Sequence, residues 1–527
     1  MPCNIPRNIG KERGRIEMTQ RFTHKMQFTK KAAVILTAMG LIPAGLFVSP
    51  VRAMSLTEAV RIAIVEHPAV QASVAALGAS GYAVKDARAD YYPSLDLQGD
   101  TGHQFSDTTT TRGRGLGGED TWRRSMEARL TQNLFDGFST RYRVKAAEKQ
   151  MEFLRHQLLD TRESIALRVV EAYLGVLRGQ KVLELSGKNI ERHREVLRDV
   201  RVKAEKGGGN WGDVNQAESR LALAESRLTL VKGELREAEA AFLEAVGITA
   251  TDLARPESVA PVPSSLRDAI ATALRNNPTV MAAATAIEAS EADFKAANAA
   301  FMPKFNLELS ESRGWDTDGL EERTLDKRAL VTMQFNLFRG GGDVARKKQA
   351  YELLAETRQK YHESVRAVEK QMRIDYSAFE TARDRIEALK ARAIASAEAV
   401  AAYQSQFRFG RRSMLDVLDV ENELFQAKVA LVDVDLQHRV SRYRVLATMG
   451  SLLESPELDS RTVVPSEDIL TVPREREKPS RTNILRYPAA PENGEDKSGE
   501  NKLNRDTAVQ PESDPAPVES GLKDASP

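Results

Sequence analysis

The chain contains two long runs without proline, from about Ser139 to Lys206 and from about Asp343 to Arg408. At 1.5 Å per residue, either run could extend about 100 Å as one continuous helix. A single compact core is not that long, so such a chain must lay long helices side by side. Each run ends in a reversal, and the two reversals align. Gly207 matches Gly410, Asp213 matches Asp416, Val214 matches Val417, Glu218 matches Glu421 and Leu221 matches Leu424, always 203 positions apart. Glycine suits the left-handed residue that closes an incoming helix. Ser413 is positioned to cap the returning helix, with Asp416 three residues on as its partner, and Asn210 takes the capping place in the first copy. The chain is a tandem repeat built around two helical reversals.

The first returning helix carries Ala217, Leu221, Ala224, Leu228, Val231, Leu235, Ala238, Phe242 and Ala245 at steps of four and three. That is a heptad seam whose alanines permit close approach, and it predicts antiparallel coiled coils. The second copy is less regular, with His438 and Ser441 where Leu235 and Ala238 stand. Both repeats also open alike. Ser55-Leu56 begins a helical pattern stopped at His67-Pro68, and Ser265-Leu266 begins one stopped at Asn277-Pro278.

Between opening helices and long runs the periodicity changes to two. Leu95, Leu97 and Gly99 alternate with Asp96, Gln98 and Asp100; across a Gly/Thr-rich loop, Met126, Ala128 and Leu130 alternate with Glu127, Arg129 and Thr131. In the second repeat Phe305, Leu307 and Leu309 oppose Asn306, Glu308 and Ser310, while Ala329, Val331, Met333 and Phe335 oppose Leu330, Thr332, Gln334 and Asn336. Each segment approaches the length of a membrane-spanning strand. An amphipathic hairpin on a soluble core would show the same alternation. Asn133-Leu-Phe-Asp-Gly137 and Asn336-Leu-Phe-Arg-Gly340 then mark turns into the long helices. Arg339-Gly-Gly-Gly-Asp343 lacks the lysine of a phosphate loop, and Asp343 is expected as a helix cap.

Lys30 and Lys31 precede an apolar run, Ala32 to Val48, followed by Val51-Arg52-Ala53. This describes a secretory signal over residues 1–53, with the long polar lead pointing to Met18 or Met26 as the start. Broken by Pro43 and Gly45, the run is a poor transmembrane helix, so membrane insertion of the exported chain requires strands. Cys3 is the only cysteine and is lost with the signal. The first repeat is expected over 54–253, a proline-rich linker over 254–264 and the second repeat over 265–453. Ten of the 21 prolines lie from Pro456 onward, so 454–527 is expected to be a disordered tail, dispensable for assembly. A net charge of +1 gives no reason to expect nucleic acid. Seven scattered histidines, with no metal-binding or nucleophile motif, give none to expect an enzyme, a metal or a cofactor.

Taken together, the signal, the doubled helix–hairpin–long-helix units, the two Asn-Leu-Phe segments and Gly410-Arg-Arg-Ser-Met-Leu-Asp-Val-Leu-Asp419 strongly resemble the TolC-like outer-membrane channel family over about Ser55 to Leu453. The resemblance implies a mainly α fold with a transmembrane β-barrel. Four strands per protomer and long antiparallel helices would close as a trimeric barrel and tunnel. Open sheet edges are forbidden in lipid, and the homotrimer that the resemblance implies would answer that demand by closing them. The implied partners are a periplasmic adaptor protein, an inner-membrane ABC transporter or other pump, and outer-membrane lipid. The resemblance also implies an acidic constriction at Asp416 and Asp419, with Arg412 in the preceding turn and Asp213 and Gln216 in the first repeat. The tips Gly207, Gly410, Arg411 and Ser413 would dock the adaptor. Capping is the competing role for Asp416 and Asp213. Phe407 stands where the family has a tip tyrosine. Among functions, the Asn-Leu-Phe-Asp-Gly-Phe segment resembles members exporting adhesins or agglutination factors, favouring type I protein secretion. Multidrug efflux and a periplasmic coiled-coil adaptor are the alternatives.

Overall fold

The computed structural model describes residues 53–115, 118–256, 261–320, 322–455 and 458. The expected signal therefore lies outside the described residues except for its last position, as does most of the expected tail. The first repeat folds as α1 (Leu56–Glu66), α2 (Pro68–Ala89), β1 (Ser94–Ser106), a short α3 (Thr109–Gly113), β2 (Glu119–Phe135), α4 (Ser139–Glu205) and α5 (Trp211–Val246). The second follows as α6 (Leu266–Asn276), α7 (Pro278–Ala297), a 3-10 turn (Asn298–Phe301), β3 (Lys304–Trp315), β4 (Arg323–Gln334), α8 (Gly342–Arg408) and α9 (Met414–Thr448). Both α4 and α8 have 67 residues, which makes each about 100 Å long.

Local chemistry explains the boundaries. Ser55 and Ser265 cap α1 and α6, while His67 and Asn277 cap the proline-led α2 and α7. At the start of α4, Asp136 accepts from the Thr140 amide and hydroxyl, both at 2.7 Å. Asp343 does not cap α8 as expected. The helix begins one residue earlier, behind left-handed Gly341, and Asp343 pairs with Arg346 inside the first turn. Gly341 takes a positive φ that glycine adopts without strain, and it has no side chain to cap the helix.

A single antiparallel sheet forms in the order β1-β2-β3-β4. Its register puts Leu95 opposite Leu130, Leu309 opposite Ala329 and Leu307 opposite Val331, so the apolar sets of all four strands share one face. The other face is polar, with Arg123 on Asp100 at 3.1 Å, Arg129 on Glu127 at 2.8 Å and Thr332 on Glu308 at 3.0 Å. Both edges, β1 and β4, remain unpaired in one protomer.

Near the sheet, α4 is flanked by α2 and α7; towards its far end it is flanked by α5 and α9. The main core lies at mid-height, where α1, the middle of α4 and the ends of α5 and α9 meet. Fully buried Tyr173 anchors it, donating to the Met54 carbonyl at 2.8 Å, and Met54 bridges Leu253 just before the linker. The repeat mate Tyr376 donates to the Pro263 carbonyl at 3.2 Å in a second core on α6 and α8. Leu452, Leu453 and Leu458 are buried in the first core, so packing continues past the boundary expected at Leu453. The proline-rich composition of the tail hid that one apolar anchor. Residues of the predicted heptad seam are buried or half-buried throughout α5.

Candidate functional site

The two reversals fold by the same backbone pattern. Gly207 (φ 75°) and Gly410 (φ 71°) are both left-handed. Gly208 donates to the Lys203 carbonyl at 3.0 Å, and Arg411, its repeat mate, to that of Gln406 at 2.9 Å. The capping differs. Ser413 accepts from the Asp416 amide at 3.1 Å while Asp416 accepts from the Ser413 amide at 3.2 Å, completing the predicted box. In the first copy Asn210 instead accepts from the Gly212 amide at 2.9 Å, and the Asp213 amide goes to the Asn210 backbone carbonyl at 3.1 Å. Asp213 therefore does not take the capping role of Asp416. An Asx turn one residue tighter replaces the box. Gln216 lies exposed on the second turn of α5.

Arg412 belongs to its own turn. Its guanidinium donates to Gln406 Oε1 at 3.2 Å, lies 4.4 Å from the centre of the Tyr403 ring and stands 3.9 Å from Asp416. What joins the hairpins is a row of other residues. Asp419 pairs with Arg220 of α5 at 2.6 Å. Arg192 of α4 donates to Glu421 of α9 at 2.8 Å, and Gln404 of α8 donates to the same carboxylate oxygen at 2.8 Å. Arg227 reaches Asn422 at 3.2 Å, and Arg178 reaches Asp433 at 2.7 Å. Lys203 of the first hairpin sits 3.8 Å over the Phe407 ring of the second, so the residue standing for the tip tyrosine contributes a cation–π contact. Beneath these pairs Val196, Val200, Ala204, Val214, Ala217 and Leu418 form an apolar cluster shared by α4, α5 and α9.

Broken repeat symmetry explains the Arg192 bridge. In the first hairpin Glu218 pairs with Arg201. Their repeat mates are Glu421 and Gln404, so the cation is replaced by a neutral amide. Glu421 is only 14% exposed and takes its counter-charge from across the hairpins, from Arg192. Next to Arg192, His193 is buried. Burial first, and then the Arg220 charge, push its imidazole below the ordinary range, so it is neutral at pH 7. Reading the sequence for acids alone missed Arg192, Arg220, Gln404 and Glu421. Repeat alignment carried a signal for the last two.

Two helical reversals tied to each other at one end, and a two-faced sheet at the other, recur in known proteins. The family described as outer membrane efflux protein matches residues 59–248 and 269–451, one segment in each repeat and together well over half of the chain. The chain belongs to this family. Outer membrane efflux protein BepC of Brucella suis is 28% identical over 331 residues, covering 61% of this chain and 71% of that protein. Alkaline protease secretion protein AprF of Pseudomonas aeruginosa is 26% identical over 393 residues, covering 71% and 80%. Among solved structures, the outer membrane protein VceC of Vibrio cholerae superposes with a TM-score of 0.66 at 16% identity, over 75% of this chain and 96% of that one. The protein is thus an outer-membrane exit duct of the TolC-like kind. Its apolar sheet face and polar opposite face suit lipid and lumen, and the family consists of channels, not enzymes. The adaptor alternative fails, because both repeats carry their own strand pair and match the channel family.

Proposed function

We propose that the duct serves a type I secretion system, passing a protein from an inner-membrane ABC transporter and a periplasmic adaptor to the exterior, with an adhesin or agglutination factor as its cargo. The secretion reading rests on the alignment with a relative named for alkaline protease secretion over 80% of that protein's length, and the adhesin cargo on the Asn133-Leu-Phe-Asp-Gly-Phe138 segment alone. A polar lumen face bearing Asp96, Gln98, Asp100, Ser125, Asn306, Ser310 and Thr332 fits an extended polypeptide. Three copies would close the sheet into a twelve-stranded barrel, since each protomer offers the free edges of β1 and β4. Paired coiled coils would form the tunnel below.

The periplasmic mouth would be narrowed by Asp416 and Asp419, with Asp213 and Gln216 on the first hairpin. Gly207, Gly410, Arg411 and Ser413 would meet the adaptor. Closure would depend on the Arg220–Asp419 and Arg192–Glu421 pairs, with Arg412 stiffening its turn. The efflux reading is favoured by the BepC alignment, at 28% identity. Deleting the gene separates the two: loss of one large secreted protein with unchanged drug sensitivity supports secretion. Intact secretion beside sharply increased drug sensitivity refutes it in favour of efflux.

A further inference from the structure

On the apolar face of the sheet, the β3–β4 hairpin departs from the pattern near its far end. From Lys304 upward that face reads Phe305, Leu307, Leu309, then Glu311, Arg313 and Trp315. Opposite them stand Met333, Val331 and Ala329, then Lys327, Leu325 and Arg323. Arg313 lies about 30 Å along the strand from Lys304. At a tilt near 40° this is about 23 Å of membrane height, against an apolar band about 25 Å tall. The charged group therefore sits where the band ends on the outer side, beside Trp315, the residue type that marks such boundaries. Lys327 is somewhat deeper and long enough to reach the same level.

The charges there do not cancel. Glu311 is shared by Arg313 at 2.5 Å and Lys327 at 3.2 Å. Arg323 lies 5.9 Å from the Trp315 ring and, among the described residues, has no ion-pair partner. In the next strand Arg124 is matched by Asp316 at 3.0 Å. One carboxylate thus faces three cations on an outward surface, and lipid-facing cations are tolerated only near the interface. Guanidinium and ammonium groups at headgroup level are complemented best by phosphate oxygens.

We propose that Arg313, Arg323 and Lys327 form a binding site for the phosphate groups of an outer-leaflet lipid. The site holds the β3–β4 hairpin at a fixed depth, with Trp315 against the acyl–headgroup boundary. The proposal rests on the apolar face pointing outward in the closed barrel proposed above. That barrel is checked independently by ion conductance of the same preparation.

The test uses the full chain as assembled in the outer membrane, extracted and reconstituted in phosphatidylcholine vesicles with either bisphosphorylated lipid A or its dephosphorylated form. Lipid retained after re-extraction is weighed by native mass spectrometry. The protein should retain the phosphorylated form about tenfold more, and the combined Arg313→Gln, Arg323→Gln and Lys327→Gln variant should lose that preference. Should the combined variant fail to assemble, Arg323→Gln and Lys327→Gln singly should each lower retention severalfold. Arg328→Gln, on the lumen face of β4, should leave retention unchanged. Binding of inorganic phosphate without retention of phosphorylated lipid A would make the site one for the free anion and refute a lipid site. Equal retention of both lipids, or undiminished retention in the variants, overturns the proposal.

Discussion

Replacing Arg192 with alanine removes the cation that, among the described residues, crosses between hairpins to pair with Glu421. Glu421, 14% exposed in the native chain, would keep Gln404 as its partner at 2.8 Å. Breaking a fully buried pair costs about 3–5 kcal/mol, and an exposed pair contributes about 0–1 kcal/mol. Arg192 is 35% exposed, so its screening lowers the cost to about 2 kcal/mol. That loss should fall on the separation of the two reversals, because α4 and α9 meet here. It corresponds to an opening about thirtyfold more frequent. Hydrogen exchange of tip amides reads local opening directly. Amides flanking Gly207 and Gly410 should exchange about thirtyfold faster in Arg192→Ala. Glu421→Gln in that background should recover part of the loss, since it removes the charge left unpaired. Unchanged exchange at both turns, or fully additive effects, would refute the inference that this pair holds the hairpins together.

Three further outcomes follow from particular contacts. Burial pushes the Glu163 carboxyl up to about 8, against an ordinary value of 4.5. Its folded pKa is raised, so its contribution is full below about pH 4.5 and is lost as pH rises through about 8. Glu163→Gln should therefore flatten thermal stability between those limits and raise it above pH 8; an unchanged profile would contradict the burial argument. Ending the chain after Leu453 removes Leu458, which is 2% exposed, and should cost about 2 kcal/mol, lowering trimer yield, whereas ending it after Asp459 should not. Equal yields would show that this anchor is dispensable. Asp419→Asn should reduce cation preference, read as reversal potential in planar bilayers; if selectivity does not move, the constriction lies away from this acid.

The sequence carried the architecture because it was written twice. The 203-residue offset reproduces both 67-residue helices residue for residue, and the alternation of Leu95, Leu97, Leu307 and Leu309 defines the sheet face. Ser413 and Asp416 cap as their spacing required, because a capping box is a local structure. The links between hairpins were not legible. Arg192 lies 229 positions from Glu421, and helical charge patterns do not say which carboxylate a long side chain will reach. Phe407 stands in place of a tip tyrosine, and its packing with Lys203 from the other hairpin was equally illegible. Leu458 escaped notice because one leucine among prolines has no periodicity.

The central proposal is that the open edges on β1 and β4 are closed by joining three protomers into one barrel that conducts through the outer membrane. Native mass spectrometry of the protein extracted from outer membranes tests it most directly. The account predicts a particle of three copies that survives extraction and forms ion-conducting pores when placed in a bilayer. A stable single copy conducting on its own, or a soluble monomer in the periplasmic fraction, would contradict it.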